Sequence, residues 1–388
     1  MFEFSKLRKS ASTIACALTL PVVLAALPAR AQETIVKIAL AAPLTGAYAG
    51  YGKDNVNSAQ LAVDEANARK ISIAGKPVRF LLVPADDQGD PRVAVQVAQR
   101  LVDEKVVAVV GHFNSGATLP ASRVYAKAGL PMISPASTNP EITQGGLSTV
   151  YRVIPTDAQN AGTAGRWAAT EAKAKRIAII DDRTAFGGGS ADEFEKAARA
   201  AGASIVAREY TNDKAVDFSA QLTKIKGEDA DLVFFGGLDA QAAMLVKRMR
   251  QLGMKAKFLA GGGVGDATFL KIAGPAADGA MVWEYGQPLE RMLEGKSFSR
   301  KYKEKYGIDI LPYGPLAYDA ASVLIKAIEN ANSTKPADID AAVKKTSYSG
   351  ITGPITFLPN GDLKGAQSTL YEVKGGEWTP ITTVAHGS

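Results

Sequence analysis

Short β-branched runs alternate with longer amphipathic stretches along most of the chain. Residues 35–41 read as a strand. Residues 53–69 carry apolar side chains at Val56, Ala59, Leu61, Val63 and Ala66, the spacing of a helix with one buried face. Residues 78–83 predict a second strand. Asp90-Pro91 follows, an N-cap with proline in the first turn, and predicts a helix start. Residues 106–110 form a continuous apolar run ending at Gly111, the pattern of a strand buried on both faces. Residues 176–180, 204–208, 231–235 and 257–260 repeat the theme, each alternating with a helical stretch.

Strands alternating with helices imply parallel sheets covered on both sides, so the fold class is α/β. The alternation runs twice, over about residues 35–135 and 176–283, which predicts two Rossmann-like lobes with parallel-rich sheets. Residues 151–155 between them form a short apolar segment ending in proline, suited to crossing from one sheet to the other. Two further helices are expected at 315–331 and 336–346, then a hairpin-like tail around Asn360-Gly361.

The first 31 residues change the picture of location. Lys6, Arg8 and Lys9 precede an apolar run over 11–27, and Pro28-Ala29-Arg30-Ala31 closes it with small residues where a signal peptidase reads. Cleavage after Ala31 and a periplasmic destination are the expectation; an uncleaved anchor is the alternative. Cys16 lies inside that run and is the single cysteine of 388 residues, so the 357 residues left after cleavage contain no thiol and no disulfide. The formal charge of +6 is also partly the leader's. It holds four bases and one acid, so 41 basic and 38 acidic residues remain, without a run of five like charges. That is a mixed solvated surface and argues against nucleic-acid binding.

Open α/β sheets bind ligands at the carboxyl ends of strands, where helix N-termini present free N–H groups. Two loops have that placement. Residues 111–118 (Gly-His-Phe-Asn-Ser-Gly-Ala-Thr) offer glycines for close approach and hydroxyls at a helix start, and residues 134–140 (Ser-Pro-Ala-Ser-Thr-Asn-Pro) again put hydroxyls after a strand. Together they could surround a carboxylate with neutral donors; Ser115 and Thr138 read equally well as ordinary helix caps. Catalytic constellations are scarce. The only histidines, His112 and His386, read as structural residues, and no spaced His/Cys/carboxylate set suggests a metal. There is no Gly-x-Ser-x-Gly elbow and no phosphate loop. The glycines at 261–265 follow a strand and read as a ligand-facing turn. Asp86-Asp87 and Asp181-Asp182 at strand ends are explained by caps or salt bridges. The reading is a binding protein, with no enzyme activity and no cofactor.

Several fragments in order carry a family resemblance: Ala42-Pro43-Leu44-Thr45-Gly46, Gly111-His112 with Ser115, Ile133-Ser134-Pro135 with Thr138-Asn139-Pro140-Glu141, residues 176–180, Asp217-Phe218-Ser219, Gly236-Gly237, and residues 361–365. Over nearly all of the length after residue 31 the chain resembles the periplasmic leucine/isoleucine/valine-binding proteins of ABC transporters. The resemblance implies a type I periplasmic binding fold, two lobes joined by a three-crossing hinge near Pro155, Tyr285 and Lys364. It places lobe one at residues 32–155 with 285–364, and lobe two at 156–284 with 365–388. It puts the ligand carboxylate on Ser115, the backbone of Ala136 and Thr138, with Ser137 in the same loop, and gives Tyr51 as a wall for the ligand side chain. Three positions depart from the pattern. Phe186 and Leu238 stand where tyrosines are usual, and Gly262 replaces the acid that meets the ligand's ammonium. Either Asp239 or Asp266 substitutes, or the ligand has no α-amino group. A cysteine pair found in some relatives is replaced by Gly89 and Asn114.

The resemblance therefore implies the extracytoplasmic capture subunit of an ABC importer, a monomer that closes its lobes over an amino acid and docks on membrane permease subunits. Alternatives are a carrier of amine-free carboxylates such as aromatic or keto acids, a ligand sensor of the same fold, and an enzyme on the same scaffold.

Overall fold

The computed structural model describes residues 1–2 and 33–387. The expected leader, Cys16 and the cleavage point after Ala31 lie outside the described residues.

The chain first builds β1 (Thr34–Ala42), α1 (Ala49–Ala68), β2 (Ser72–Ile73), β3 (Lys76–Asp86), α2 (Pro91–Asp103), β4 (Ala108–Gly111), α3 (Ser115–Lys127), β5 (Met132–Ser134), α4 (Glu141–Gln144) and β6 (Val150–Arg152). Their sheet has the order β2-β3-β1-β4-β5-β6, parallel except where β2 meets β3. Side chains on β1 alternate between two cores. Val36, Ile38 and Leu40 pack with α1, and Ala39 and Ala41 face α2 and α3 through Ala94, Val97, Ala117 and Ala121. That alternation is why the strand reads as a nearly unbroken apolar run.

A second series follows: α5 (Asp157–Thr170), β7 (Arg176–Asp181), α6 (Ala185–Ala200), β8 (Ser204–Tyr210), α7 (Ser219–Gly227), β9 (Leu232–Gly236), α8 (Asp239–Gln251), β10 (Lys257–Ala260), α9 (Ala267–Ala273) and β11 (Met281–Tyr285). On β7, Ala178 and Ile180 enter one core, Ile177 and Ile179 the other. The chain then forms α10 (Gly295–Tyr306), α11 (Gly314–Ala331), α12 (Pro336–Val343), a small hairpin of β12 (Tyr348–Gly350) and β13 (Gly353–Ile355), and finally β14 (Gln367–Lys374) and β15 (Glu377–Ala385). The second sheet has the order β15-β14-β11-β10-β9-β7-β8, parallel from β11 to β8, with β14 and β15 antiparallel. Because α11 and α12 bury Leu316, Leu324, Ile328, Ile339 and Val343 in the first core, the chain passes between the lobes after β6, after β11 and before β14.

The predicted strands and helices agree with these elements to within a few residues, and Asp90 caps α2 by accepting from Arg92 N and Val93 N. Asn360-Gly361 forms the expected hairpin-like turn, closed by Leu358 N to the Asp362 carbonyl and Lys364 N to the Thr356 carbonyl, both at 2.8 Å, around an antiparallel bridge between Phe357 and Leu363. A longer hairpin follows it, β14–β15, turning at Gly375-Gly376. A glycine pair flanked by strand formers is itself a hairpin signal, which the sequence reading passed over.

With no disulfide among the described residues, long-range ties come from buried carboxyls. Asp54 on α1 accepts from Tyr302 Oη at 2.7 Å and Leu311 N at 3.1 Å. Asp319 on α11 accepts from Ile351 N at 2.9 Å and Thr352 N at 2.8 Å. Burial pushes Asp54 up to about 7 and Asp319 up to about 6. Asp157 likewise rises to about 7 and Asp182 to about 6. These groups hold more protons folded than unfolded between about pH 4 and 7, so their net contribution to stability falls as pH rises through that window. His386, buried against Ser368 Oγ, is pushed down to about 4 and acts in the opposite sense, one group against four. The thermal midpoint without ligand is expected to be a few degrees higher at pH 5.5 than at pH 7.5. Differential scanning calorimetry at both values checks this; a lower midpoint at pH 5.5 would contradict it.

Candidate functional site

The loop after β4 is fixed by a buried chain of polar groups. His112 Nδ1 lies 2.6 Å from Asp87 Oδ2, and Nε2 lies 3.0 Å from Tyr125 Oη. The His112 carbonyl accepts from Ser134 Oγ at 2.9 Å and from Ser137 Oγ at 3.0 Å, joining this loop to the one after β5. The other expected structural residues behave similarly. Asp86 accepts from Leu44 N and Gln88 N; Asp181 accepts from Arg183 N and pairs with Arg208; Asp182 accepts from Thr184 N.

Ser115 and Thr138 do not act as caps for their own helices. The N-cap of α3 is Asn114, and Ser115 is the first helical residue. Its Oγ accepts from the N–H groups of Thr138 and Asn139, both at 3.3 Å, which clamps the two loops together. A hydroxyl that accepts twice keeps its one proton available for donation. Thr138 Oγ1 is buried without a hydrogen-bond partner among the described residues. Ala136 N donates to Ser134 Oγ at a long 3.3 Å. Ser137 is used differently: its N–H donates to Ser134 Oγ at 2.9 Å, and its hydroxyl serves the His112 and Phe113 carbonyls and Thr118 Oγ1. The Ser137 side chain is thus committed to the framework. Arg152, fully buried, holds the same loop by donating to the carbonyls of Ser137 and Asn139 while pairing with Asp362 at 2.8 Å.

Beside these loops stands an aromatic wall. Tyr51 on α1 stacks on Phe113 at 5.3 Å between ring centroids, and Tyr313 meets both edge-on, at 5.6 Å from Tyr51 and 4.9 Å from Phe113. Tyr285, the last residue of β11, lies 6.1 Å from Tyr313. From the second lobe, Leu238 is buried just before α8, and Phe186 is half-buried in the first turn of α6. Phe186 adjoins Ala185, whose carbonyl accepts from Asn139 Nδ2 at 2.7 Å across the cleft.

Gly262 has a steric reason. A Cβ there would lie 2.2 Å from the Tyr285 ring, so no side chain fits beside that tyrosine. The surrounding turn is held by Glu284, whose Oε1 accepts from Gly263 N at 3.0 Å, Val264 N at 3.0 Å and Gly265 N at 2.6 Å. Asp239 and Asp266, the two acids considered as substitutes, both reach Tyr51. Its Oη lies 3.0 Å from Asp239 Oδ2 and 2.9 Å from Asp266 Oδ2. One phenol proton can serve only one of two carboxylates, so the second contact requires a protonated carboxyl. Burial and the adjacent Asp266 charge push Asp239 up, consistent with that sharing. Neither acid forms an ion pair among the described residues, and the cleft is closed across Tyr51.

Sequence reasoning missed Phe113, Tyr285, Tyr313, Glu284 and Asp157. Tyr285 ends a strand at an expected crossing and Tyr313 precedes a Gly-Pro helix start, which are the signals that could have found them. Gly89 and Asn114 face each other, a Cβ at 89 lying 3.2 Å from Asn114 Oδ1. Among the described residues no group of three or more His, Cys, Asp or Glu is placed to hold a metal ion, and no helix is long and apolar enough to cross a membrane.

Comparison with known proteins gives a consistent result. A family profile described as periplasmic binding protein matches residues 35–377. The chain is 34% identical over 346 residues to a leucine-, isoleucine-, valine-, threonine- and alanine-binding protein of Pseudomonas aeruginosa, covering 88% of this chain and 90% of that one. Its fold is similar to a leucine binding protein from Thermotoga maritima, with a TM-score of 0.82 and 29% identity over 90% of this chain and 98% of that one. It is also similar to the branched-chain amino acid transporter substrate binding protein of Streptococcus pneumoniae in complex with isoleucine, with a TM-score of 0.81, 26% identity, and coverage of 91% and 100%.

Proposed function

The chain belongs to the periplasmic binding protein family, and from that premise we propose that it is the extracytoplasmic solute-binding subunit of an ABC importer, capturing an apolar amino acid. In this reading residues 32–155 with 285–364 move against residues 156–284 with 365–388, and ligand favours the closed state by touching both. The ligand carboxylate accepts from Ser115 Oγ, Ala136 N and Thr138 Oγ1. Tyr51, Phe186 and Leu238 surround the side chain. The protein acts as an exported monomer, by binding without catalysis, and the closed form is what the permease subunits recognise.

The observation that carries this reading is the pair of uncommitted hydroxyl donors. Ser115 Oγ accepts twice and donates to no described residue, and Thr138 Oγ1 is buried without a partner. Buried donors of that kind favour an acceptor of high charge density. A second reading, an amine-free aromatic or keto acid, is favoured by one observation: the Tyr285 ring fills the space where an acid at position 262 would stand.

A thermal-shift screen of the protein against amino acids and their deaminated analogues tests both, because a ligand of the folded state raises its midpoint by mass action. Upward shifts with leucine, isoleucine or valine support the first reading, and shifts only with keto or aryl acids support the second. No shift with any carboxylate would remove both.

A further inference from the structure

Asp157 sits where the polypeptide enters the second lobe, and only the Thr138 side chain and the field of Arg152 favour its charge against burial. It is 1% exposed. Its N–H donates to the Thr138 carbonyl at 2.8 Å, which fixes it to the second carboxylate loop. The capping work at this helix start is done by Thr156, whose hydroxyl accepts from Gln159 N, so the Asp157 side chain is not needed as the cap. Asp157 Oδ2 is buried without a hydrogen-bond partner among the described residues, as is the neighbouring Thr138 Oγ1. Arg152 influences the acid only through its field, since its own donors go to the Ser137 and Asn139 carbonyls, to Thr143 and to Asp362.

Asp157 belongs to the second lobe, where α5 packs on α6, and it faces Asn139 of the first. A Cβ on Gly189 of α6 would lie 3.5 Å from Asp157 Oδ2 and 2.8 Å from Asn139 Nδ2, so this carboxyl stands at the seam between the lobes. The Tyr285 phenol, which occupies the space beside Gly262, feels the Asp157 charge. An unpaired buried carboxylate is strongly unfavourable unless it protonates or meets a cation, and burial has already raised this one to about 7.

Resting on the amino-acid reading above, we propose that Asp157 Oδ2 accepts the α-ammonium of the ligand, with Thr138 Oγ1 beside it, in place of the acid that position 262 lacks. In an α-amino acid the nitrogen is separated from the carboxylate carbon by one atom, so a group binding the ammonium must adjoin the carboxylate donors. Asp157 meets this condition through its contacts with Thr138. Asp239 and Asp266 lie instead at the hydroxyl end of Tyr51 and are engaged with it. The solute class is therefore an α-amino acid, with its side chain toward Tyr51, Phe113 and Tyr313.

The test is isothermal titration of Asp157→Asn with leucine and with its 2-keto analogue, alongside Asp239→Asn. The expected result is a loss of about 10- to 100-fold in leucine affinity for Asp157→Asn, the range for a hydrogen bond to a charged group, while keto-acid affinity is unchanged or improved and Asp239→Asn leaves the leucine preference intact. Leucine affinity equal to wild type in a folded Asp157→Asn protein overturns the inference, as does loss of the amine preference in Asp239→Asn instead. If the wild type binds the keto acid and not leucine, the inference fails while the carboxylate site stands. If it binds neither, the amino-acid reading itself fails. Asp157→Ser provides a second variant if the asparagine protein does not refold, its midpoint without ligand reporting the fold.

Discussion

Replacing Ser115 and Thr138 together by alanine is expected to reduce affinity for the solute identified by thermal shift by about 100- to 1000-fold, measured by titration calorimetry. Each hydroxyl hydrogen bond to a carboxylate contributes about 1.5–3 kcal/mol, and two such losses at one group fall short of adding because the remaining donors readjust. The substitution has a structural cost as well, since Ser115 Oγ is the acceptor for Thr138 N and Asn139 N. Leaving those buried N–H groups unpaired costs about 1–3 kcal/mol, so the midpoint without ligand falls by a few degrees. Ser137→Ala separates the two effects. Its hydroxyl faces the His112 and Phe113 carbonyls, so it should lower the midpoint while leaving the carboxylate donors in place. Full-strength binding by the Ser115/Thr138 double variant would eliminate the proposed carboxylate site.

The alternation of strands and helices was legible because both faces of each sheet are covered. Strands such as residues 106–110 then lose their polar face and become continuous apolar runs. The two loops were legible for a related reason: Ser115 and Thr138 follow strand ends, where α/β sheets bind ligands. What could not be read is whatever depends on distance between segments far apart in sequence. Gly262 looked like a lost acid. The space it lacks is taken by Tyr285, 23 residues later, on the neighbouring strand β11. Ser137 looked equivalent to Thr138, but only the fold shows that one hydroxyl points into carbonyls and the other finds no partner. Asp157 was hidden by its position at a helix start, where an acid is unremarkable; only its burial distinguishes it. Asp239 and Asp266 are 27 residues apart, and they meet at one tyrosine hydroxyl because α8 and α9 pack together and both start beside Tyr51.

Gly262→Ala is expected to destabilise the protein by about 1–3 kcal/mol, the usual cost of forcing extra carbon into a packed site. The new Cβ would lie 2.2 Å from the Tyr285 ring, and its neighbours leave the ring little room, since Tyr313 stands 6.1 Å away. Both residues belong to the second sheet's loop region, on β10–β11, so the effect should appear in urea unfolding without ligand. Tyr285→Ala removes the obstruction at its own cost, about 3–5 kcal/mol for a large aromatic truncated in a packed site. The informative quantity is the coupling. A side chain at 262 should cost less in the Tyr285→Ala background than in the wild type, and an additive cycle would show that the two positions do not compete for space. The same background allows a functional exchange. Gly262→Glu with Tyr285→Ala puts an acid back where the family pattern has one. The double variant should favour leucine over its keto analogue by about 10-fold more than the Tyr285→Ala parent does, the increment of one charged hydrogen bond. An unchanged ratio would mean that a side chain at 262 does not reach the ligand's amine even with the ring removed, and that Tyr285 does more than block it.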